Sequence, residues 1–299
     1  MLMKISVVVA SYNYANYIEE TIQSVINQTY SDWELIIVDD GSTDNSVEII
    51  NKYCNQDNRI RLYTHPNHEN KGLKETLLLG ISKSTSDWVA FLESDDMWRE
   101  DYLEKKVEIA NKYPEVGFIF NSVEYIGSQR RVKDYYYAFK DRLDQLSELT
   151  YPRSMFKDLN VSNKILTFSS VMVKKNLLKK EYFNTPVDKL LDWYLYINIL
   201  FDTLVYYLNE KITVWRVHEG SYISNKAKSR HIFVHIIAYL DVYKRNKTNK
   251  SLLIFAMHSL FLSIISVICE YIRLYSIIYI RKIKKRLGLP LRESPLFDD

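Results

Sequence analysis

Cysteine is nearly missing from this chain. The only two, Cys54 and Cys269, stand far apart in 299 residues and match no metal-ligand or redox spacing. That argues against a disulfide scaffold, points to a reducing compartment and leaves both residues as apolar filler. Glycine is scarce as well, with seven residues, and neither a GxGxxG pattern nor a Gly-rich loop ending in Lys-Ser occurs. A dinucleotide fold or an ATPase would therefore lack its phosphate cradle. Charge of one sign is not in excess, since 40 Lys and Arg face 37 Asp and Glu, which argues against nucleic acid as a partner. No internal repeat and no low-complexity tract is present. The opening "MLMKISVVVASYN" has an apolar run too short for a signal peptide and no small-residue cleavage pattern, so the expected location is the cytoplasm, at the membrane face.

What is present reads as alternating strand and helix. "ISVVVA" (Ile5 to Ala10) is a β-branched run of the kind buried on both faces of a sheet. In "YIEETIQSVINQT" the period changes: Ile18, Ile22, Val25 and Ile26 share one helical face and Glu19, Glu20 and Gln23 the other. Strands are expected again at Glu34 to Val38, Arg59 to His65 and Trp88 to Leu92, with helices over "NSVEIINKYC" and Gly72 to Ser82. This is the βαβ pattern of a parallel sheet. Further on, a helix broken near Pro114, a strand over Gly117 to Phe120, a strand entering a helix in "ILTFSSVMVKKNLL", a helix over Asp188 to Phe201 and an extended "LVYYLNEKITVWRVHEGSYIS" follow. The segment from about Arg130 to Ser162 reads as a loop and short-helix excursion.

Sheets of this kind bind ligands beyond the carboxyl ends of their strands, where loops and helix N-termini converge. Polar residues gather at those ends, in "ASYN", "DDGSTD" and "ESDD", and the opposite ends carry nothing comparable. Glu93, Asp95 and Asp96 repel one another unless something positive sits among them, and a hard divalent cation that leaves positions open for phosphate oxygens is one answer. Capping of the helix that begins near Arg99 is another. Asp39 and Asp40 form a second acidic cluster at the same sheet edge, where a carboxylate can accept from a base N–H or a ribose hydroxyl. Asp192 can act as a general base or as an ordinary first-turn aspartate favoured by the helix dipole.

Three segments in this order, "SVVVASYNYANYIEETIQSVINQTYSDWELIIVDDGSTDNS", "GLKETLLLG" and "WVAFLESDDMW", resemble the nucleotide-sugar-binding half of glycosyltransferase family 2 proteins with the GT-A fold. The resemblance is dense over Ile5 to Leu103 and thinner to His218. It implies an α/β fold, a Rossmann-like, mostly parallel central sheet flanked by helices; the tail from His231 carries no comparable signal and reads from its own pattern as an α-helical C-terminal extension. The expected domains are 1–225, with a donor half to about 110 and an acceptor half beyond it, and, from the tail's own pattern, a helical, partly basic, membrane-associating region over 226–299. The implied reaction is inverting, Mn2+- or Mg2+-dependent hexosyl or N-acetylhexosaminyl transfer. Its donor would be a nucleoside-diphosphate sugar, UDP-linked, and its acceptor a saccharide or lipid-linked saccharide in surface polysaccharide or glycan synthesis.

Carried over by position, the resemblance implies that Ala10 and Tyr12 line a base pocket, Tyr12 by stacking. Asp40 would accept from the base, and Asp39 would support the turn or the same pocket. Glu93, Ser94, Asp95 and Asp96 stand in the metal motif, with Asp95 the direct ligand and Asp96 its close support. Glu93 replaces an Asp there, and its share in ribose or metal contacts is correspondingly weaker. Leu77 and Leu78 stand where members often carry Arg or Leu and then Asn, so that contact is missing or comes from Lys71 or Lys74. Asp192 matches the general base, with Leu191 in place of a Glu and Trp193 as acceptor wall or core. Arg216 or His218 would approach the diphosphate or metal. The rival readings are a non-catalytic nucleotide-sugar-binding homologue and a nucleotidyltransferase.

The tail differs in character. Ser251 to Cys269 is an uncharged run between basic flanks, Lys244 to Lys250 and Arg281 to Arg286. At ~1.5 Å per residue it barely matches a ~30 Å hydrocarbon core. Peripheral contact with an anionic leaflet is the expected use; packing against the domain or a second copy in a homo-oligomer is the alternative.

Overall fold

The computed structural model describes residues 3–128, 132, 133, 136, 144–156, 164–185, 191–218, 240, 243, 244, 257 and 261. Internal contacts divide the chain into Met1–Ala227 and Lys228–Asp299. Apart from five isolated positions, the expected C-terminal extension, with its apolar run and basic segment, lies outside the described residues. So does much of the 130–162 excursion. Among the described residues no helix is long and apolar enough to cross a membrane.

The first apolar run forms β1 (Ile5–Ser11), which pairs in parallel with β2 (Trp33–Asp39) on one side and β4 (Trp88–Phe91) on the other. β3 (Ile60–Thr64) extends the parallel set beyond β2. Between these strands run α1 (Ile18–Ile26), α2 (Ser46–Gln56) and α3 (Leu73–Lys83). α1 buries Ile18, Thr21, Ile22 and Val25, the face its periodicity predicts. α3 approaches β1 closely at Gly80, where a Cβ would lie 2.6 Å from Val8 Cγ1. Only glycine fits that contact.

The second half completes one mixed, eight-stranded sheet with β5 (Met97–Trp98), β6 (Val116–Gly127), β7 (Val171–Lys174) and β8 (Leu204–Val217). The order is β3-β2-β1-β4-β7-β6-β8-β5. β7 is antiparallel to both β4 and β6, and β8 is parallel to β6. Two antiparallel steps cancel, so β8 ends at the same sheet edge as β1, β2 and β4. That brings Trp215 to His218 to the edge where the acidic loops lie. α4 (Tyr102–Lys112) and α5 (Leu191–Asp202) flank this half.

Two local expectations change. After β7 the chain forms short 3₁₀ turns, Lys175–Leu177 and Lys180–Phe183, and not an α-helix. Leu177 and Leu178 are adjacent and lysines surround them, so no apolar stripe at helical spacing exists to bury. The amino ends of the strands are also not bare. Glu34, buried at the start of β2, accepts from Ser6 Oγ (2.6 Å), Thr85 N and Thr85 Oγ1 (both 2.7 Å), Lys4 Nζ (3.3 Å) and Arg61 Nη1 (3.2 Å). These partners come from β1 and the residue before it, β3 and the α3–β4 loop, and no sequence cluster announces them.

Candidate active site

A cavity of about 800 Å³ opens at the carboxyl edge of the sheet. Of the residues the sequence singles out, it is lined by Ala10, Tyr12, Asp40, Glu93, Ser94 and Asp95, together with Arg216 and His218. Asp39, Asp96 and Asp192 are not among its lining residues.

At one end Tyr12 is 44% exposed on the lip, an unusual exposure for a large aromatic side chain. Its loop is tied to the loop after β2. Asn13, left-handed at φ 59°, donates from its N–H to Ser42 Oγ (2.9 Å), and its Oδ1 accepts from Thr43 N (2.8 Å). Tyr14 N donates to Ser46 Oγ (3.0 Å) and Ala15 N to Asp44 Oδ2 (2.9 Å). Asp39 holds the turn itself, accepting from Gly41 N (3.1 Å) and Ser42 N (2.9 Å). Asp40 faces the cavity. Its two oxygens accept from Lys71 N (2.7 Å) and Gly72 N (2.9 Å), and His65 Nε2 stands 3.5 Å from Oδ1. Each carboxylate oxygen keeps a second lone pair for a ligand donor. The lysine amines do not enter. Lys71 pairs with Glu69, and Lys74 with Asn184 and Glu75, so Leu77 and its neighbour Leu73 leave that wall apolar.

At the other end the acidic loop after β4 has unequal members. Asp95 lines the cavity, and its Oδ2 lies 2.9 Å from His218 Nε2. Asp96 is fully buried behind it, accepting from Ser169 Oγ (2.6 Å), Thr167 Oγ1 (3.2 Å) and the backbone N–H of Arg216 (2.9 Å). Ser94 Oγ donates to Ala10 O (3.1 Å), which joins this loop to β1. Glu93 is held by the Thr167 hydroxyl, and its own N–H donates to Ser169 Oγ (3.0 Å). Burial, then the charge of Asp95, and then that of Asp192 push the Glu93 carboxyl up to about 8 against the Thr167 hydrogen bond. Burial and the charges of Asp95 and Glu93 likewise raise Asp96 well above the carboxylate range. Tyr14, also in the lining, is raised by burial and by the charges of the same acids.

The loop is thus a site of uncompensated negative charge. Arg216 and His218 stand against it. Arg216 Nε donates to Asp95 O (3.0 Å), and its guanidinium pairs with Glu20 and lies 5.0 Å from the Tyr17 ring centre. The Tyr17 and His218 rings stand 4.8 Å apart. Among the described residues no three His, Cys, Asp or Glu side chains form a ready cage for a metal. Asp95 and His218 offer two donors and leave the cavity side open.

Asp192 lies in the first turn of α5, and its charge reaches Glu93 and Tyr196. Trp193 is buried and away from the cavity lining, as is Leu191. The sequence reading missed Thr167 and Ser169, which brace the acids, and Tyr14, Tyr17 and Trp215 in the lining. The aromatic crowding of "SYNYANY" was the available signal for two of them.

Comparison with known proteins places this geometry in context. The family model described as Glycosyl transferase family 2 matches residues 6–180. Glycosyltransferase GlyA of Streptococcus pneumoniae serotype 4 is 32% identical over 229 residues, 73% of this chain and 31% of GlyA. The putative teichuronic acid biosynthesis glycosyltransferase TuaG of Bacillus subtilis is 41% identical over 104 residues, 35% of this chain and 40% of TuaG. The matched part thus spans well under half of the length of these curated relatives. Among solved structures, S. aureus TarS residues 1–349 in complex with UDP-GlcNAc matches with TM-score 0.59 at 19% identity, over 81% of this chain and 67% of that one. Mannosyltransferase PcManGT from Pyrobaculum calidifontis, in complex with GDP-Man and Mn2+, matches with TM-score 0.59 at 18% identity, over 89% and 74%. At these identities the likeness is one of fold, and it is the GT-A fold.

Proposed function

The chain belongs to glycosyltransferase family 2, and on that premise we propose that it is an inverting transferase acting on a nucleoside-diphosphate sugar, UDP-linked. It moves a hexosyl or N-acetylhexosaminyl group to a hydroxyl of a saccharide or lipid-linked saccharide. One observation carries the reading. A single cavity has at one end a carboxylate with free acceptor capacity, Asp40, beside an exposed ring, Tyr12. At the other end it has a carboxylate facing an imidazole, Asp95 with His218. The nucleotide sugars bound by TarS and PcManGT support the donor class.

Asp95 and His218 fit a divalent cation. The raised Glu93 and Asp96 carboxyls mark negative charge in need of a positive partner, and two protein donors leave the rest of a coordination shell to phosphate oxygens. A carboxylate with an imidazole suits Mn2+ better than Mg2+, which prefers oxygen. When bound, such an ion neutralises the diphosphate and the charge that grows on it as the glycosidic bond breaks. The chain's own residues do the rest. Tyr12 stacks on the base and Asp40 accepts its N–H, which fixes the donor's register. Asp192 takes the proton of the acceptor hydroxyl as that oxygen attacks the anomeric carbon, and a single displacement inverts the configuration. Its electrostatic reach to Glu93 supports a position beside the acidic end.

The test is a nucleotide-sugar screen that follows nucleotide release, combined with donor binding. Asp192→Asn should lower turnover about 10²- to 10⁴-fold while donor affinity changes less than about twofold. Asp95→Asn should remove the cation-dependent part of donor binding. A wild-type protein that saturates with donor and releases no nucleotide would instead be a binding homologue, the reading favoured by Glu93, Leu77, Leu78 and Leu191.

A further inference from the structure

Lys106, on α4, is wholly inaccessible to solvent, and no other lysine among the described residues is buried. Taking an ammonium out of water is unfavourable, and burial pushes this amine well below the ordinary lysine value. Among the described residues it has no carboxylate partner. Its Nζ donates to the carbonyls of Ser170 (2.8 Å) and Ile119 (3.1 Å) and lies 5.0 Å from the Tyr102 ring centre. Methionine would fill the same volume without the desolvation cost. What the amine adds is a tie between three elements: α4, β6 and the 3₁₀ turn Phe168–Ser170.

That turn is the underside of the acidic loop. Thr167, which caps it, holds Glu93; Ser169 Oγ accepts from Glu93 N and donates to Asp96. The two carbonyls on its lower face are both engaged from below. Trp98 Nε1 (2.7 Å) and Thr213 Oγ1 (3.2 Å) hold Ser169 O, and Lys106 holds Ser170 O. Upper-face hydroxyls and lower-face carbonyls belong to consecutive residues, so a shift of one moves the other.

We propose that Lys106 is a positioning residue for the acidic loop: by holding the Ser170 carbonyl it fixes the turn whose Thr167 and Ser169 hydroxyls set Glu93 and Asp96, and with them the aim of Asp95. This rests on the assignment of Asp95 to a cation under the proposed function. Because Trp98 and Thr213 hold the adjacent carbonyl, loss of Lys106 loosens the turn and does not release it, and the effect is partial.

The experiment is calorimetric binding of UDP and GDP to the full chain, with and without MnCl2, using the tighter nucleotide. In the wild type Mn2+ tightens binding. In Lys106→Met that tightening should shrink about tenfold, the scale of lost outer contacts at a metal site, while Mn2+-free binding stays within about twofold. Lys106→Gln, which still donates, should recover part of it, and it carries the comparison if the methionine variant does not fold. In a Ser169→Ala background Lys106→Met should add little, because both act through one turn. Unchanged tightening would overturn the proposal, as would equal losses with and without Mn2+, the mark of a plain core residue. If Mn2+ fails to tighten binding in the wild type, the cation role of Asp95 falls, and this role with it.

Discussion

Glu34 and Glu93 stand at opposite edges of the same sheet, and burial works against ionisation of both. Burial would raise the Glu34 carboxyl, yet the hydrogen bonds from Ser6 and Thr85 and the charge of Lys4 outweigh it and hold the group at about 2. At Glu93 the neighbours add to the effect of burial. Asp95 and Asp192 bring like charge, only Thr167 opposes them, and the carboxyl rises to about 8. Burial is the largest cause of the rise at Glu93, and the partners decide the sign, overcoming burial at Glu34 and adding to it at Glu93. A buried acid met by five donors fastens a fold together; one met by other acids is held in readiness for a cation or a proton.

The sharpest way to break the comparison is Glu34→Ala. It removes one shared acceptor from Lys4, Arg61, Ser6 and Thr85, of which Lys4 keeps Thr85 and Ser6 keeps Ser86, and should lower stability by about 3–5 kcal/mol in urea unfolding, with donor affinity unchanged. A loss below about 1 kcal/mol would show that solvent replaces the network.

A second test uses pH. The folded Glu34 carboxyl sits below its unfolded value of 4.5, so its contribution is complete above pH 4.5 and is lost as pH falls toward about 2. Glu93 has the opposite sign. Its folded value lies above 4.5, so the folded state binds more protons, and stability falls as pH rises from 4.5 toward about 8. In cation-free protein Glu93→Gln should flatten that fall by on the order of 2 kcal/mol between pH 5 and 8, read from urea midpoints. Asp96, raised for the same reasons, preserves part of the slope. An identical slope in the variant would remove Glu93 from the account.

The smallest effect is expected from Lys4→Met. Its side chain is 39% exposed, and its ion pair with Glu34 is only one of five contacts. A cost under about 1 kcal/mol is expected from thermal unfolding, and a larger one would make the Glu34 site depend on charge more than on hydrogen bonds.

Much of this was legible beforehand. The β1, β2 and β4 runs are mostly apolar, broken by Ser6 and Glu34, and acids follow β2 and β4 directly, so the carboxyl edge could be found from local pattern. Tyr12, Asp40 and Asp95 were singled out and line the cavity. The Glu34 site was not legible, because a lone glutamate at the start of an apolar strand looks like a surface charge. The lysines near Gly72 were offered as donor contacts, but their amines turn outward to Glu69 and Asn184. Nothing in their spacing states which way a loop side chain faces.

By itself the sequence determined the alternation of strand and helix and the loops that carry acid, since both follow from local pattern over a few residues. Tertiary structure decided which acid faces the cavity. Asp96 is turned inward by Ser169 and Thr167, more than seventy positions away, and Asp95 meets His218 only because two antiparallel pairings return β8 to the same edge. Such pairings are selected by the burial of whole strands, an energy summed over the sheet, and no single stretch of sequence carries it.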